Sequence, residues 1–86
     1  MDSAARTPGQ IGPILKSRRQ ERGLTQAAAA AKVGLKQATV SRVETDASRT
    51  TLETLYRLLS ALDLELVFRD RRAPPATPGP RKKREW

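Results

Sequence analysis

The chain has 86 residues, enough for one small domain, and its formal net charge of +8 indicates a polyanionic partner, either nucleic acid or an anionic membrane surface. It has no cysteine and no histidine, which excludes disulfides, thiolate or imidazole metal sites and a serine–histidine catalytic system. One Trp, one Tyr and one Phe are too few aromatic side chains to stack single-stranded bases. No apolar run reaches the roughly 20 residues of a membrane span. Together with the missing cysteine and histidine, these features lead us to expect a cytoplasmic, non-enzymatic protein.

The first predicted helix starts near the beginning of the chain and ends at Gly23. Glycine readily adopts the left-handed backbone conformation that often terminates a helix. Ile11 and Leu15 have the spacing of its buried face. Pro13 leaves two possibilities open: the helix starts at Pro13, or it starts near Pro8 and bends at Pro13.

Two short helices follow, joined by a tight turn at residues 33–35. Thr25 can cap the first of them, and Gly34 suits a turn with positive φ. Val40 and Val43 give the second helix its buried side. Its opposite side carries Lys36, Gln37, Ala38, Ser41 and Arg42. This pattern predicts a helix-turn-helix whose second helix enters a DNA major groove, and the alternative is a surface helical hairpin with a solvated polar face.

The residue types on that polar face match the edges of base pairs in the major groove. A glutamine amide can bond an adenine edge with both its groups, a lysine or arginine can bond guanine, and an alanine methyl can contact the thymine methyl. The predicted face therefore has the chemistry of sequence-specific DNA recognition.

A fourth helix is predicted over residues 52–62, with Thr50 or Thr51 as its cap. The expected core positions on this helix are Leu52, Leu55, Leu59 and Leu62. Residues 64–70 then alternate between apolar and polar, which indicates a single strand. Because one strand has no partner in a short helical chain, we expect Leu64, Leu66 and Phe68 to mediate pairing with a second copy. The alternative is a frayed extension of the fourth helix.

The sequence thus divides into a flexible N-terminus (1–7), a helix-turn-helix domain (8–63), a dimerisation strand (64–70) and a disordered tail (71–86). The tail is rich in proline and carries a basic run at residues 81–84, which adds phosphate affinity or is merely solvated. Its last residue, Trp86, is expected to dock into a pocket on a partner protein.

The pattern Leu24-Thr25-Gln26, then Ala30, Gly34, Val40-Ser41-Arg42 and Glu44, resembles the Cro/C1-type, or XRE, helix-turn-helix family. Within that family, residues 35–41, 50–52 and 64–66 and the final Glu85-Trp86 are similar to the HipB antitoxins. The resemblance implies a mainly α-helical bundle of about four helices plus one C-terminal strand that pairs across a homodimer. It also implies a HipA-type serine/threonine kinase toxin as partner, and repression of the protein's own operon.

Carried over position by position, the resemblance implies roles for individual residues. The residues expected to contact bases are Lys36, Gln37, Ala38 and Ser41. Phosphate contacts fall to Thr25, Gln26, Lys32, Thr39 and Arg42. Arg19 and Glu44 correspond to a structural ion pair, and no metal or cofactor is implied.

Three residues depart from the family pattern. Ala29 stands where leucine is common, so the second helix is expected to pack thinly. Arg18 occupies an apolar slot and is expected to extend towards solvent along its aliphatic stem. Lys36 replaces the usual serine or threonine cap of the recognition helix.

These features favour a dimeric antitoxin that binds a palindromic operator and represses transcription. The alternatives are a stand-alone XRE transcriptional regulator without a toxin, such as a restriction-modification controller, and an adaptor that only inhibits a partner enzyme. The polar, cationic face argues against the adaptor, and the strand and Trp86 argue against the stand-alone regulator.

Overall fold

The computed structural model describes residues 3–71, so the basic run and Trp86 of the tail lie outside the described residues. The described chain is built from helices. They are α1 (Pro8–Glu21), α2 (Gln26–Lys32), α3 (Gln37–Thr45), a 3-10 turn (Ala47–Arg49) and α4 (Leu52–Ala61). This confirms the predicted all-α, helix-turn-helix bundle. None of these helices is long and apolar enough to cross a membrane.

The start of α1 decides between the two possibilities that Pro13 left open. Thr7 is the N-cap with extended backbone, and the side chain of Gln10 accepts a hydrogen bond from the Thr7 backbone N–H at 3.3 Å. Pro8 follows at the first helical position, where a missing N–H costs nothing. The helix therefore begins at Pro8 and continues through Pro13.

Three of the helices end in the same way: a residue in the left-handed conformation is followed by leucine. The left-handed residues are Gly23, Gly34 and Asp63, with φ of 70°, 70° and 57°. In each case the leucine N–H donates to the carbonyl five residues earlier. These bonds are Leu24 to Arg19 (3.1 Å), Leu35 to Ala30 (2.9 Å) and Leu64 to Leu59 (2.8 Å). This motif satisfies helix-end carbonyls and turns the leucine back towards the helix.

The core is small and aliphatic. Its largest fully buried side chains are Leu58, Leu62, Val40 and Val43. The prediction that Leu52 belongs to this core is wrong, because Leu52 is 69% exposed and Leu58 is buried in its place. Six residues along a helix correspond to about 600°, which puts Leu52 about 120° away from Leu58 around α4.

Arg18 of α1 and Arg22, the C-cap of α1, bind the end of α4. The Nε of Arg18 donates to the carbonyl oxygen of Leu62 at 3.2 Å, and the guanidinium of Arg22 lies 2.9 Å from the carboxylate of Asp63. Arg18 is half-buried, and besides this bond a terminal guanidinium nitrogen lies 3.5 Å from the exposed carboxylate of Glu21. Positive charge at a helix C-terminus is favourable, which makes Arg18 a link between the first and last helices.

Residues 64–70 follow α4 without helix and without a β-ladder. The helical extension of α4 is therefore wrong, because the helix ends at Ala61. A ladder needs a second strand, which the described part of a single chain does not supply. Leu64 packs against the core, whereas Leu66 and Phe68 are 43% and 91% exposed. Pairing of this segment with a second copy remains a prediction.

Candidate nucleic-acid interface

One side of helix α3 packs into the core, and the other side is exposed. Val40 and Val43 are 1% and 2% exposed and anchor the helix in the core. The residues predicted to contact bases lie on the remaining surface: Lys36, Gln37 and Ala38 are exposed, and Ser41 is partly exposed. The structure thus leaves all four accessible at the N-cap and in the first half of a short helix, where a recognition helix contacts base edges.

A buried ion pair fixes α3 against α1. The guanidinium of Arg19 donates through Nε to Glu44 Oε2 at 2.6 Å and through a terminal nitrogen to Glu44 Oε1 at 3.1 Å. Its other terminal nitrogen donates to the carbonyl oxygen of Leu24 at 2.8 Å. The hydrogen bond to Glu44 raises the pKa of Arg19 above its ordinary value. This agrees with the structural role that the family resemblance implied for Arg19 and Glu44.

The ion pair continues into two glutamines that the sequence did not connect. Gln26 Nε2 donates to Glu44 Oε1 at 3.0 Å, and Gln37 Nε2 donates to Gln26 Oε1 at 2.6 Å. Arg19, Glu44, Gln26 and Gln37 therefore form one hydrogen-bond chain that runs from the core to the exposed face of α3. Nothing in the sequence spacing indicated it, because α1, α2 and α3 each contribute a member.

The residues predicted to contact phosphates surround this face. Lys32, at the end of α2, and Arg42 are exposed, and Thr39 is partly buried. Thr25 caps α2, its hydroxyl oxygen accepting from the Ala28 N–H at 3.0 Å, which leaves the hydroxyl proton free to donate. Gln26 differs from these four because both ends of its side-chain amide are already bonded within the protein.

The N-terminus of α3 has no side-chain cap. Lys36 occupies the N-cap position with extended backbone, and its side chain makes no capping hydrogen bond. The departure noted in the sequence therefore leaves the first backbone N–H groups of α3 without the side-chain acceptor that serine or threonine would supply.

Sequence reasoning missed Arg49. This residue lies in the 3-10 turn and lines a shallow depression together with Arg42, Thr39, Thr51 and Thr54. Thr50 also lines the depression, and two guanidiniums beside four hydroxyls form a surface suited to an anion. The sequence signal that could have identified Arg49 is its position two residues before Thr51, the N-cap of α4. Within residues 3–71, no group of acidic side chains is arranged to hold a metal ion.

Comparisons with known proteins agree with this geometry. A family model described as Helix-turn-helix matches residues 15–68. Antitoxin HipB of Escherichia coli (strain K12) is 34% identical over 80 residues, which are 93% of this chain and 91% of the relative. Antitoxin HipB of Escherichia coli O6:H1 is 32% identical over 93% of this chain and 85% of the relative.

Solved structures give the same result. A chain of the HipA-HipB-O2-O3 complex superposes with a TM-score of 0.78 at 35% identity, covering 83% of this chain and all of that chain. A chain of the HipB-O4 20mer complex gives 0.79 at 35% identity, with the same coverage. The restriction-modification controller protein C.Esp1396I, at 24% identity and a TM-score of 0.64, shares the fold and covers 67% of this chain and 75% of its own.

The fold and the exposed α3 define a helix-turn-helix protein. The chain belongs to the HipB antitoxins within the helix-turn-helix family.

Proposed function

We propose that this protein is a HipB-type antitoxin and transcriptional repressor. It binds palindromic operator DNA as a homodimer, represses its own operon, and binds and neutralises a HipA-type serine/threonine kinase toxin. The observation that carries this proposal is the exposed face of α3, with Gln37, Ala38 and Ser41 accessible to a duplex, in a chain similar to HipB over 93% of its length.

Binding to DNA follows from the arrangement of charge and hydrogen-bond groups. Lys32, Arg42 and Arg49 supply exposed positive charge around α3, and the net charge of +8 favours association with phosphates. Gln37, Ala38 and Ser41, with Lys36 beside them, supply the groups that distinguish base pairs. The interface therefore separates into contacts that position the protein and contacts that select the sequence.

A homodimer is supported by the exposed apolar side chains of Leu66, Val67 and Phe68 in the segment after α4. A two-fold dimer carries two recognition helices, so its operator is a palindrome with half-sites about one helical turn, or a multiple of it, apart. The shallow groove beside Tyr56, Leu59 and Leu64 adjoins this segment and offers an apolar surface for the second copy.

The toxin partner is supported by the similarity to a structure that contains both HipA and HipB. Trp86 is the residue of this chain that we assign to that contact. Neutralising a kinase by binding requires no catalytic group in the antitoxin, and an operator-binding protein of this kind acts in the cytoplasm, at the nucleoid.

Two measurements on the full-length protein test the proposal. The first is a mobility shift with the DNA upstream of its own gene, against a scrambled duplex of equal length, at several salt concentrations. We expect tighter binding to the upstream DNA and weaker binding to both duplexes as salt rises. The second is co-purification with the kinase-fold protein of the neighbouring gene, together with an assay of its kinase activity.

The two results separate the competing functions. Operator binding together with inhibition of the kinase supports the antitoxin. Operator binding without any kinase partner would identify a stand-alone regulator, and kinase inhibition without sequence-specific DNA binding would identify an inhibitory adaptor.

A further inference from the structure

The helix end between α4 and the segment 64–70 differs from the other two leucine-terminated ends. Its left-handed residue is Asp63, with φ of 57°, whereas the other two are glycines. Among residues 3–71, Asp63 is the one non-glycine residue with a positive φ. Aspartate tolerates this conformation better than most side chains, but glycine adopts it without any steric cost. The backbone geometry alone would therefore be served better by glycine, which points to a use for the carboxylate.

The Asp63 carboxylate is tied to the end of α1. Its Oδ2 lies 2.9 Å from a terminal guanidinium nitrogen of Arg22, the C-cap of α1. One residue earlier, the carbonyl oxygen of Leu62 accepts a hydrogen bond from Nε of Arg18 at 3.2 Å. Two consecutive residues at which the chain leaves α4 are therefore held by the last turn of α1.

The same turn of α1 also holds the recognition helix. Arg19, the neighbour of Arg18, makes the buried ion pair with Glu44 in α3. Successive positions on a helix point about 100° apart, so Arg18 and Arg19 reach different neighbours from one place on α1. A short path of polar contacts thus connects the start of the segment 64–70 to α3.

We propose that Asp63, held by Arg22, is a stiff hinge that sets the angle at which the segment 64–70 leaves the domain, and thereby the half-site spacing of the operator. This inference rests on the proposed homodimer and its DNA binding. Two copies paired through this segment carry their α3 helices at a separation and twist that the two hinges fix. One extra base pair moves the half-sites apart by about 3.4 Å and rotates them by roughly 35° around the duplex, which a stiff hinge cannot follow.

The ion pair at the hinge is suited to orientation and contributes little to stability. The side chains of Arg22 and Asp63 are 35% and 67% exposed. A pair with this exposure is weakened by salt and adds little to the free energy of unfolding. Its loss removes a tether between α1 and the residue at which the chain turns. The hinge should therefore change which spacing is selected far more than whether the protein folds.

The experiment uses the full-length protein and duplexes that differ in the spacer between two half-sites. Selection from a randomised library first defines the half-sites and their preferred spacing. Duplexes with a spacer one base pair shorter or longer are then compared with the preferred duplex. The measured quantity is the ratio of the affinity for the preferred spacing to the affinity for each neighbouring spacing. An effect on phosphate contacts alone lowers all these affinities equally and cancels in the ratio.

Three variants loosen the hinge in different ways. Asp63→Asn keeps a residue that tolerates the left-handed conformation but removes the charge, and Arg22→Met removes the partner. Asp63→Gly removes the charge and also frees the backbone. Arg57→Met is the matched control, because it breaks an exposed ion pair with Glu53 within α4, away from the hinge.

We expect the ratio to fall about three- to tenfold in Asp63→Asn and in Arg22→Met, since a dimer loses two such pairs, and further in Asp63→Gly. Combining Arg22→Met with Asp63→Asn should lower the ratio no more than either change alone, because both remove one contact. Arg57→Met should leave the ratio unchanged. For the unaltered protein, the ratio should also decrease as the salt concentration rises.

A second readout needs no DNA. The chain has no cysteine, so Ser17→Cys, at an exposed position of α1, places one spin label on each copy. Pulsed electron paramagnetic resonance then gives the distribution of distances between the two labels of the dimer. This distribution should broaden in Asp63→Asn and Asp63→Gly and stay as narrow as that of the unaltered protein in Arg57→Met. Sedimentation velocity on the same samples checks that all of them are dimers.

The failures are distinguishable. If the unaltered protein prefers one spacing, but Asp63→Asn and Arg22→Met keep the ratio and the distance distribution, the hinge role is wrong while the proposed DNA binding stands. Equal affinity of the unaltered protein for all spacings, or a lower ratio in Arg57→Met, would overturn the hinge role in the same way. Loss of the dimer in Asp63→Asn would also overturn it, because the pair would then hold the copies together instead of orienting them. If no sequence is selected, the proposed function itself fails and the hinge role fails with it.

Discussion

Gly12 of α1 lies directly against the backbone of Glu44 at the end of α3. A Cβ atom on Gly12 would fall 2.8 Å from the carbonyl carbon of Glu44 and 2.9 Å from the carbonyl oxygen of Val43. These obstacles are backbone atoms and cannot rotate aside. The absence of a side chain at Gly12 is therefore what lets α1 approach α3 closely enough for Arg19 to reach Glu44.

We expect Gly12→Ala to lower the free energy of unfolding by about 1–3 kcal/mol, since overpacking outweighs the higher helix propensity of alanine. Urea unfolding followed by circular dichroism measures this change. Gly9→Ala is the control, because a Cβ atom there meets nothing closer than 3.9 Å and only the propensity gain applies. Equal stability of the two variants would contradict the close contact at Gly12.

The buried ion pair gives a second stability prediction. Arg19→Met leaves the carboxylate of Glu44 in the interior without its partner, and we expect unfolding free energy to fall by about 3–5 kcal/mol. Arg57→Met breaks the exposed ion pair between Arg57 and Glu53, whose two side chains are 46% and 77% exposed, respectively. This variant should change the free energy of unfolding by less than about 1 kcal/mol. Thermal unfolding of both variants at one pH provides the comparison. A small effect of Arg19→Met would show that the pair is dispensable.

Acid sensitivity is predicted at the 3-10 turn. The Ser48 hydroxyl, and then the Ser48 backbone N–H, donate to the carboxylate of Asp46 and hold the pKa of Asp46 below its ordinary range. A carboxyl group with a lowered folded-state pKa stabilises the fold above its unfolded pKa of about 3.9 and loses that contribution as pH falls through the folded value. An NMR titration should therefore show a low pKa for Asp46 that rises in Ser48→Ala. Asp46→Asn, which cannot titrate, should remove this part of the acid dependence.

Gln37→Ala should weaken binding to the operator DNA by about 1–3 kcal/mol and relax the sequence preference at one base pair. Lys32→Ala and Arg42→Ala should instead weaken binding to all sequences, each reducing the slope of log affinity against log salt by about 1. Fluorescence anisotropy at several salt concentrations separates the two effects. Unchanged operator affinity in Gln37→Ala would show that the assignment of the recognition face is wrong.

Dimerisation is testable at the segment after α4. The alternation places Leu66 and Phe68 on one face of the strand and Val67 on the other. We expect the combination of Leu66→Lys and Phe68→Lys to convert the dimer to a monomer in sedimentation velocity, because charges would replace the apolar contacts between copies. Val67→Lys adds the same charge to the opposite face and should leave the dimer intact. Monomers in both variants, or dimers in both, would contradict this strand register.

The helices and their ends were predictable because their signals are local. Thr25 and Gly34 cap and terminate elements within a few residues of themselves, so sequence spacing is sufficient to recognise them. The face that α4 buries was only partly predictable. Its leucines allow more than one stripe, and the choice of Leu58 over Leu52 depends on how α4 sits against the other helices.

The polar interior was not predictable from pattern. Arg19 and Glu44 were paired only through the family resemblance, since charged residues look like surface residues in any periodicity argument. The bond between Gln26 and Gln37 depends on the crossing of α2 and α3, and the bond from Arg18 to Leu62 joins residues 44 positions apart. Such contacts become visible only when the helices are assembled.

The repeated leucine-terminated ends of α1, α2 and α4 have a consequence for how the chain is made. Each of these helix ends depends on two adjacent residues, the left-handed residue and the leucine, and on a hydrogen bond to the carbonyl five residues earlier. These local contacts can form before segments that are distant in sequence meet. Proteins dominated by nearby contacts fold within about microseconds to milliseconds. A newly synthesised copy should therefore complete its own fold soon after it leaves the ribosome, before it meets the second copy that operator binding requires.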